Sequence, residues 1–434
     1  QANLPYIIGK VMFWLIETQE QFEELESSIL TGVIAIPIHR HPEQHPAIYA
    51  PLCLYLKDVD TENSFLINFY HSEAMQISTE KVLDWLKTVD TIYTLDRKAF
   101  NYFYHGTNTN TLPEIKHKTS QAINYFSRRH YNDPDLGNII PIVKHYEDCE
   151  KIATELLKEL PTYKPDEFRK EAEDVFWEIE RNGLKVTNSI EEYFKIERPF
   201  LSLYNNHILT QYNLKNITGR PSNNFNSINF AALTKDNGCR SIFIPRNEVF
   251  MEIDLVAYHP TLISKLVDYK SPTGDIYEDF GKIYGMDRKE AKGLVFKQLY
   301  GNVFDEYKDF EFFRLTTEYI EKTWNKYQTQ GYVEGVYEKY TFKRDELPNM
   351  NPQKLFNYLI QNYETVNNIM LLKDIFKILK GRKSKIVLYT YDAILLDLSK
   401  EDKDAIRKIV KLFKESGLRI TMNVGNNYNT LESF

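Results

Sequence analysis

Between positions 288 and 301, Arg288, Lys292, Phe296 and Tyr300 recur every four residues. That period stacks all four on one helical face. Two cations near a helix start suit a polyphosphate, and two rings further along suit a flat base and its sugar. The face reads as a nucleotide-binding surface, although taken alone the same pattern also describes an amphipathic helix with solvated cations. Two acids accompany it. Asp254 stands where strand-like text at 249–258 gives way to a helix, and Asp392 interrupts an apolar strand pair at 387–397. A carboxylate in such a run is costly to bury unless a cation pairs with it. Brought together on neighbouring strands, the two would hold a pair of Mg²⁺ ions roughly 3.5–4 Å apart, which activate a hydroxyl nucleophile and stabilise a pyrophosphate leaving group. Taken singly, each Asp also suits a turn cap or a structural ion pair.

The elements that must position these residues are readable in outline. Short apolar runs at 32–38, 50–56 and 64–70 alternate with helical stretches near 80–87 and 145–160, an α/β unit of about 150 residues. Pro161 to Pro165 forms a joint, and a helix from Asp166 to about Arg181 ends at Asn182-Gly183, a C-cap signal that opens a second unit. Residues 213–233 are polar and read as loop or turn. Helical text fills 275–329, an extended pair spans 333–342, and helix resumes over 352–379. A strand within 386–398, a helix over 401–415 capped by Ser399 and followed by Gly417, and a last strand at 418–424 complete the pattern. The C-terminal half is thus a sheet with a long helical insertion.

Composition bounds the alternatives. A chain of 434 residues can form two to four compact units. With 54 Lys plus Arg against 61 Asp plus Glu, net −7, any nucleic-acid contact must use local basic surface. The 30 Tyr and 26 Phe favour stacking surfaces as well as core. Cys53, Cys149 and Cys239 are few and far apart, which predicts free thiols and a reducing compartment. No apolar run approaches the roughly 20 residues of a membrane span, and the first thirty residues carry acids, so a cytoplasmic location is expected.

Asp254, the Arg-Lys-Phe-Tyr helix some thirty residues on, and Asp392 about ninety residues beyond resemble motifs A, B and C of the family A DNA polymerases. Thr218-Gly219-Arg220-Pro221-Ser222 resembles that family's element contacting duplex near the primer end, and Asn357, Gln361 and 424–428 extend the likeness over roughly 166–434. The resemblance implies an α/β and α+β multidomain chain: an RNase H-like exonuclease-type domain over 1–160, a first palm helix and shortened thumb over 161–217, and a right-hand polymerase palm over 218–434 with a helical fingers insertion at about 270–350. It implies extension of a primer 3′-OH with dNTPs by two-metal transfer, using Mg²⁺ with Mn²⁺ as a substitute. The implied metal ligands are Asp254, Asp392 and the carbonyl of Leu255. Arg288 and Lys292 would grip the triphosphate, and Lys292 would protonate pyrophosphate. Phe296 would pack on the deoxyribose and Tyr300 beside the templating position, with Arg220, Asn357 and Gln361 reading the minor groove. Arg240 either holds a phosphate or is solvated. Primer-template DNA and dNTPs are the implied partners, with a processivity factor or other replisome protein and no membrane; a phage-infected bacterial cytoplasm is the implied setting. A single-subunit RNA polymerase-like enzyme and a silent DNA-binding replication protein are the alternatives.

Departures from the pattern carry their own expectations. His259 replaces the Glu that customarily blocks a ribose 2′-hydroxyl, where an imidazole bonded to Tyr300 would fill the same space. Tyr391-Asp392-Ala393 replaces His-Asp-Glu, so the primer-terminus contact falls to Tyr391, and Gln353 replaces an arginine. Phe296 lacks a hydroxyl, so dideoxynucleotides should terminate poorly. In the N-terminal unit, the strand expected to supply Asp-x-Glu reads Ile34-Ala35-Ile36-Pro37-Ile38, 92–100 lacks a terminal Asp, and Asp148 alone remains. One carboxylate cannot organise two metals, so no proofreading is expected. The cluster His39, His41 and His45 reads as a solvated loop with two prolines rather than a metal site. Only some thirty-five residues separate Gly183 from Thr218, a short thumb that implies low processivity without a clamp. Basic spots at 116–118, 128–130 and 380–385 read as solvated faces or as contacts for backbone phosphates.

Overall fold

The computed structural model describes residues 6–8, 11–28, 30–112, 133–190, 194, 203–223, 228–235, 238–301 and 303–433. The basic spots at 116–118 and 128–130, and residues 191–193 and 195–202 of the shortened-thumb segment, lie outside them. The chain divides into two compact units, one of residues 1–181, 188–211 and 225–228, the other of 182–187, 212–224 and 229–434.

In the first unit, alternation along Gly32–Ile38 sets up two cores on opposite faces of one sheet, as a period of two requires. Val33 and Ala35 join a cluster with Phe22, Leu25, Val82 and Trp85 of the helices Gln19–Glu26 and Thr79–Leu86. Ile34, Ile36 and Ile38 pack with Ile142, Tyr146, Cys149 and Ala153 of the helix Ile142–Glu159. The strand Cys53–Asp58 runs antiparallel to both Gly32–Ile38 and Ser64–Asn68, whereas Thr91–Thr94 and Thr109–Thr111 continue the other side in parallel. Val11–Ile16 adds to the sheet in parallel with Ser64–Asn68.

The helix Glu167–Asn182, which the resemblance assigns to the palm, clusters with the first unit through Arg181. Buried charge explains this. Lys98 and Glu180 pair at 2.6 Å with both side chains almost completely buried, and Arg97 pairs with Asp174 at 2.6 Å. Removing either partner of a buried pair strands a charge, so the helix is tied to the short helix Arg97–Phe100.

The histidine loop is not solvated. His41 and His45 are buried, each accepting at Nδ1 a backbone N–H two residues on, from Glu43 and Ala47, while His45 Nε2 meets the Thr210 carbonyl at 3.1 Å. The rings substitute for water as backbone partners, and burial holds His45 neutral, its pKa lowered to about 3. Among the described residues no cluster of three or more His, Cys, Asp or Glu forms a metal cage.

In the second unit, an antiparallel sheet runs in the order Lys385–Thr390, Ala393–Leu398, Val249–Leu255, Ile420–Gly425, Glu432–Ser433. The helix Tyr258–Leu266 follows Val249–Leu255, and the helix Pro352–Leu379 is buried along most of its length. A separate aromatic cluster forms from the helices Ile276–Tyr284, Arg288–Tyr300 and Glu311–Gln330, with Phe280, Val295, Leu299, Phe312 and Phe313 at its centre. The polar stretch at 213–233 is not wholly loop, since Tyr212–Asn213 pairs with Ser222–Asn223. Two of the four cations of the basic turn at 380–385 are compensated: Arg382 pairs with Asp404 at 2.7 Å and Lys383 with Glu401 at 2.7 Å. The three cysteines are buried free thiols, and no helix among the described residues is long and apolar enough to cross a membrane.

Candidate nucleotide-binding and catalytic site

A cleft of about 960 Å³ opens within the second unit, lined by Asp254, Asp392, Arg288, Lys292, Phe296, Tyr300, His259, Arg220, Asn357, Gln361 and Tyr391. Its backbone frame comes from two strand ends. Asp254 pairs in register with Ala393, and the Leu255 N–H donates to the Asp392 carbonyl at 2.8 Å, so both acids arrive at the same end of neighbouring strands. Asp392 occupies the tip of the hairpin joining Lys385–Thr390 to Ala393–Leu398. Tyr391 beside it takes φ of 60°, a left-handed conformation that costs a tyrosine on the order of 1–3 kcal/mol unless its surroundings impose it. They do so here. Asn368 donates to the Tyr391 carbonyl and the Tyr389 hydroxyl, both at 2.8 Å, while Tyr258 donates to Asn368 and the Arg220 guanidinium lies 3.9 Å from the Tyr391 ring centre.

Neither Asp254 nor Asp392 has an ion-pair partner within 4.0 Å among the described residues. Burial, then the charge of Asp392, then that of Glu252 raise Asp254 to about 6, against a smaller opposing pull from Lys292. Burial also raises Asp392. Uncompensated oxygen ligands of this kind are the donor set that hard divalent cations take. The two carboxylates therefore fit a hard divalent cation, although among the described residues no group of three or more His, Cys, Asp or Glu forms a cage for one.

Facing the acids is the helix Arg288–Tyr300, started by Asp287, whose carboxylate caps Lys289 and Glu290 while Glu290 returns a bond to the Asp287 N–H. Ala291, Val295 and Leu299 bury one face, which leaves Arg288, Lys292, Phe296 and Tyr300 on the cleft side. Phe296 remains 54% exposed on the cleft side. Tyr300 bonds the Nδ1 of His259, and the two rings close the floor near Phe296.

Several members of the site carried no recognisable sequence signal. Glu364, almost fully buried on the helix Pro352–Leu379, lies 3.0 Å from Arg220 Nε and 3.2 Å from His259 Nε2, and Arg220 also donates to its other oxygen at 3.3 Å. A lone acid in the middle of a buried helix was the one available hint. Asp275 and Arg419 were likewise missed: Asp275 accepts from Arg288 at 2.9 and 3.1 Å and from Arg419 at 3.2 Å. Arg240, by contrast, does not line the cleft. It donates to the Leu233 carbonyl and lies over the Tyr428 ring at 4.7 Å, so it braces the chain ahead of the Asp254 strand. Gly219, with φ of 71°, lets the Thr218–Arg220 turn approach Tyr340, where an added Cβ would come within 2.3 Å of the hydroxyl. Asn362 fixes the turn by donating to the Thr218 carbonyl at 3.1 Å.

The antiparallel sheet thus carries a helical insertion whose cation-and-ring face shares one cleft with the two acids. Among solved structures, the chain is similar to the POL domain of Pol1 from M. smegmatis, determined in complex with DNA primer-template and dNTP. The TM-score is 0.65 at 12% identity, covering 94% of this chain and 97% of that one, which establishes the fold. No family model matches the sequence, and no curated protein matches it.

Proposed function

We propose that this chain is a template-directed DNA polymerase of the family A type, extending a primer 3′-OH with dNTPs. The observation that carries this is the convergence, in one cleft, of two carboxylates without an ion-pair partner among the described residues, at the ends of adjacent strands, with a helix face of two cations and two rings. Asp254, Asp392 and the Leu255 carbonyl would hold Mg²⁺, with Mn²⁺ as a substitute. Bound there, the ions would supply positive charge for ionising the 3′-hydroxyl and for the departing pyrophosphate.

The residues of the chain do the remaining work. Arg288 and Lys292 bind the triphosphate; Lys292, without an ion-pair partner among the described residues, donates a proton to pyrophosphate as the bond from the α-phosphorus to the bridging oxygen breaks and the bond to the 3′-oxygen forms. Phe296 packs on the sugar, and Tyr300, held by His259, shapes the space beside the base. Arg220, Asn357, Gln361 and Tyr391 line the side where a primer-template would lie.

The N-terminal unit fits a degenerate exonuclease. Its meander of three antiparallel strands continued by two parallel ones supports an RNase H-like reading, and its central strand carries Ile34, Ala35 and Ile36 where acids would be needed. Glu150, two residues beyond Asp148, contacts Tyr55, Lys57 and Ser64 of this sheet and is already engaged by Lys57 at 2.7 Å.

Primer extension with dNTPs and with NTPs, in the unaltered chain and Asp392→Ala, tests the proposal. Extension with dNTPs that disappears in Asp392→Ala is expected. A preference for NTPs would favour an RNA polymerase, and no extension by either would leave a DNA-binding protein.

A further inference from the structure

Resting on the polymerase reading above, we propose that Arg419 is a ligand for the terminal phosphate of the incoming nucleotide, paired with Arg288 in a clamp that Asp275 holds together. Asp275 is buried, and its Oδ1 caps the helix Ile276–Tyr284 by accepting the Tyr277 N–H at 2.9 Å. Its Oδ2 accepts from Arg288 Nε and Nη2 and from Arg419 Nη1. One carboxylate charge offsets one guanidinium, so the second is left for a ligand. With Lys292 one turn further along the helix, this wall carries three cations against one anion and faces the acids Asp254 and Asp392.

Both guanidiniums line the cleft, with side chains 44% exposed for Arg288 and 48% for Arg419. Arg419 makes its bonds to Asp275 and to the Gly274 carbonyl through Nη1, and among the described residues Nε and Nη2, one edge of the planar fork, stay available for an anion. Backbone geometry places it beside the acids. The Val256 N–H donates to the Arg419 carbonyl at 2.9 Å, and the next two residues, Ile420 and Thr421, pair with Leu255 and Asp254. Four helical residues advance about 6 Å. A nucleotide with its base near Phe296 and Tyr300 therefore runs its phosphates past Lys292 toward Arg288, and the partner that shares Asp275 with Arg288 meets the far end.

Steady-state extension by the unaltered chain, Arg419→Ala and Arg419→Lys, with the matching dNDP as competitive inhibitor, tests this. We expect Arg419→Ala to raise KM for dNTP about 10- to 50-fold, the range for a charge-assisted bond. The kcat should fall much less, inhibition by dNDP should change under threefold, and Arg419→Lys should recover part of the loss. An unchanged KM, or equal weakening of dNTP and dNDP, overturns the clamp. So does a fall in kcat alone. Calorimetric titration with tripolyphosphate separates the two proposals: binding that is lost in Arg419→Ala without primer extension by the unaltered chain sinks the polymerase reading and keeps the clamp, whereas extension with undiminished binding in Arg419→Ala sinks the clamp alone.

Discussion

Glu150 in the first unit and Asp254 in the second are both partly buried carboxylates beside a sheet, yet the protein treats them oppositely. Burial would raise Glu150, but hydrogen bonds from Lys57, Ser64 and Tyr55 outweigh it and hold the group below the usual carboxylate range. Among the described residues Asp254 receives no such partner, and burial together with Asp392 pushes it to about 6. A charge neutralised within the chain has a structural use. A charge left unneutralised at a cleft edge is a stored demand for a cation. The first unit spends Glu150 on an ion pair with Lys57, whereas the second leaves Asp254 facing a cleft.

The largest expected effect separates the two acids by activity. Asp254→Ala should lower primer extension by at least about a thousandfold, a loss on the scale of removing a principal charge-stabilising group, whereas Glu150→Gln should leave extension within about threefold. A large loss in Glu150→Gln would show that the first unit is not silent. Next comes stability. Lys57 is almost wholly buried while Glu150 keeps about a third of its side chain exposed, so Lys57→Met should cost about 2–3 kcal/mol, somewhat below the range for breaking a fully buried pair. The urea midpoint measures it, and the double variant Lys57→Met with Glu150→Leu should recover most of the loss.

The smallest effect concerns Asp254 itself in metal-free buffer. Its folded pKa lies above the unfolded value, so its stabilising contribution is present below the unfolded pKa of 3.8 and is lost as pH rises through about 6. Asp254→Asn removes that penalty. The variant should be more stable at pH 7.5 by about 1 kcal/mol, after allowing for solvent screening at a half-buried position, and the advantage should shrink as pH falls from 6 toward 4. An advantage independent of pH would mean that charge repulsion is not its source.

Legibility in the sequence followed the range of the interaction. The Arg288–Tyr300 face is periodic, and its Asp287 cap is adjacent in the chain, so the helix and the side it turns to the cleft could be read directly. The strand before Asp254 and the hairpin around Asp392 announced themselves as apolar runs with one acid each. Glu364 with Arg220, and Asp275 with Arg419, could not be read this way, because each pair joins residues 144 positions apart. His41 and His45 misled for a related reason. Polar residues among prolines look solvated unless one knows which backbone groups they satisfy.

By itself, then, the sequence determined the local pieces: a cation-and-ring helix face, an acid at a strand end, an acid at a hairpin tip. Periodicity and turn chemistry act over a few residues and leave their mark in the order of the letters. Only the tertiary structure decided which acids would be neutralised and which left open. Lys57 reaches Glu150 across 93 positions, and Asp254 and Asp392 meet an open cleft instead. Charge compensation depends on distance in space and on burial, and neither is written in the spacing of a chain.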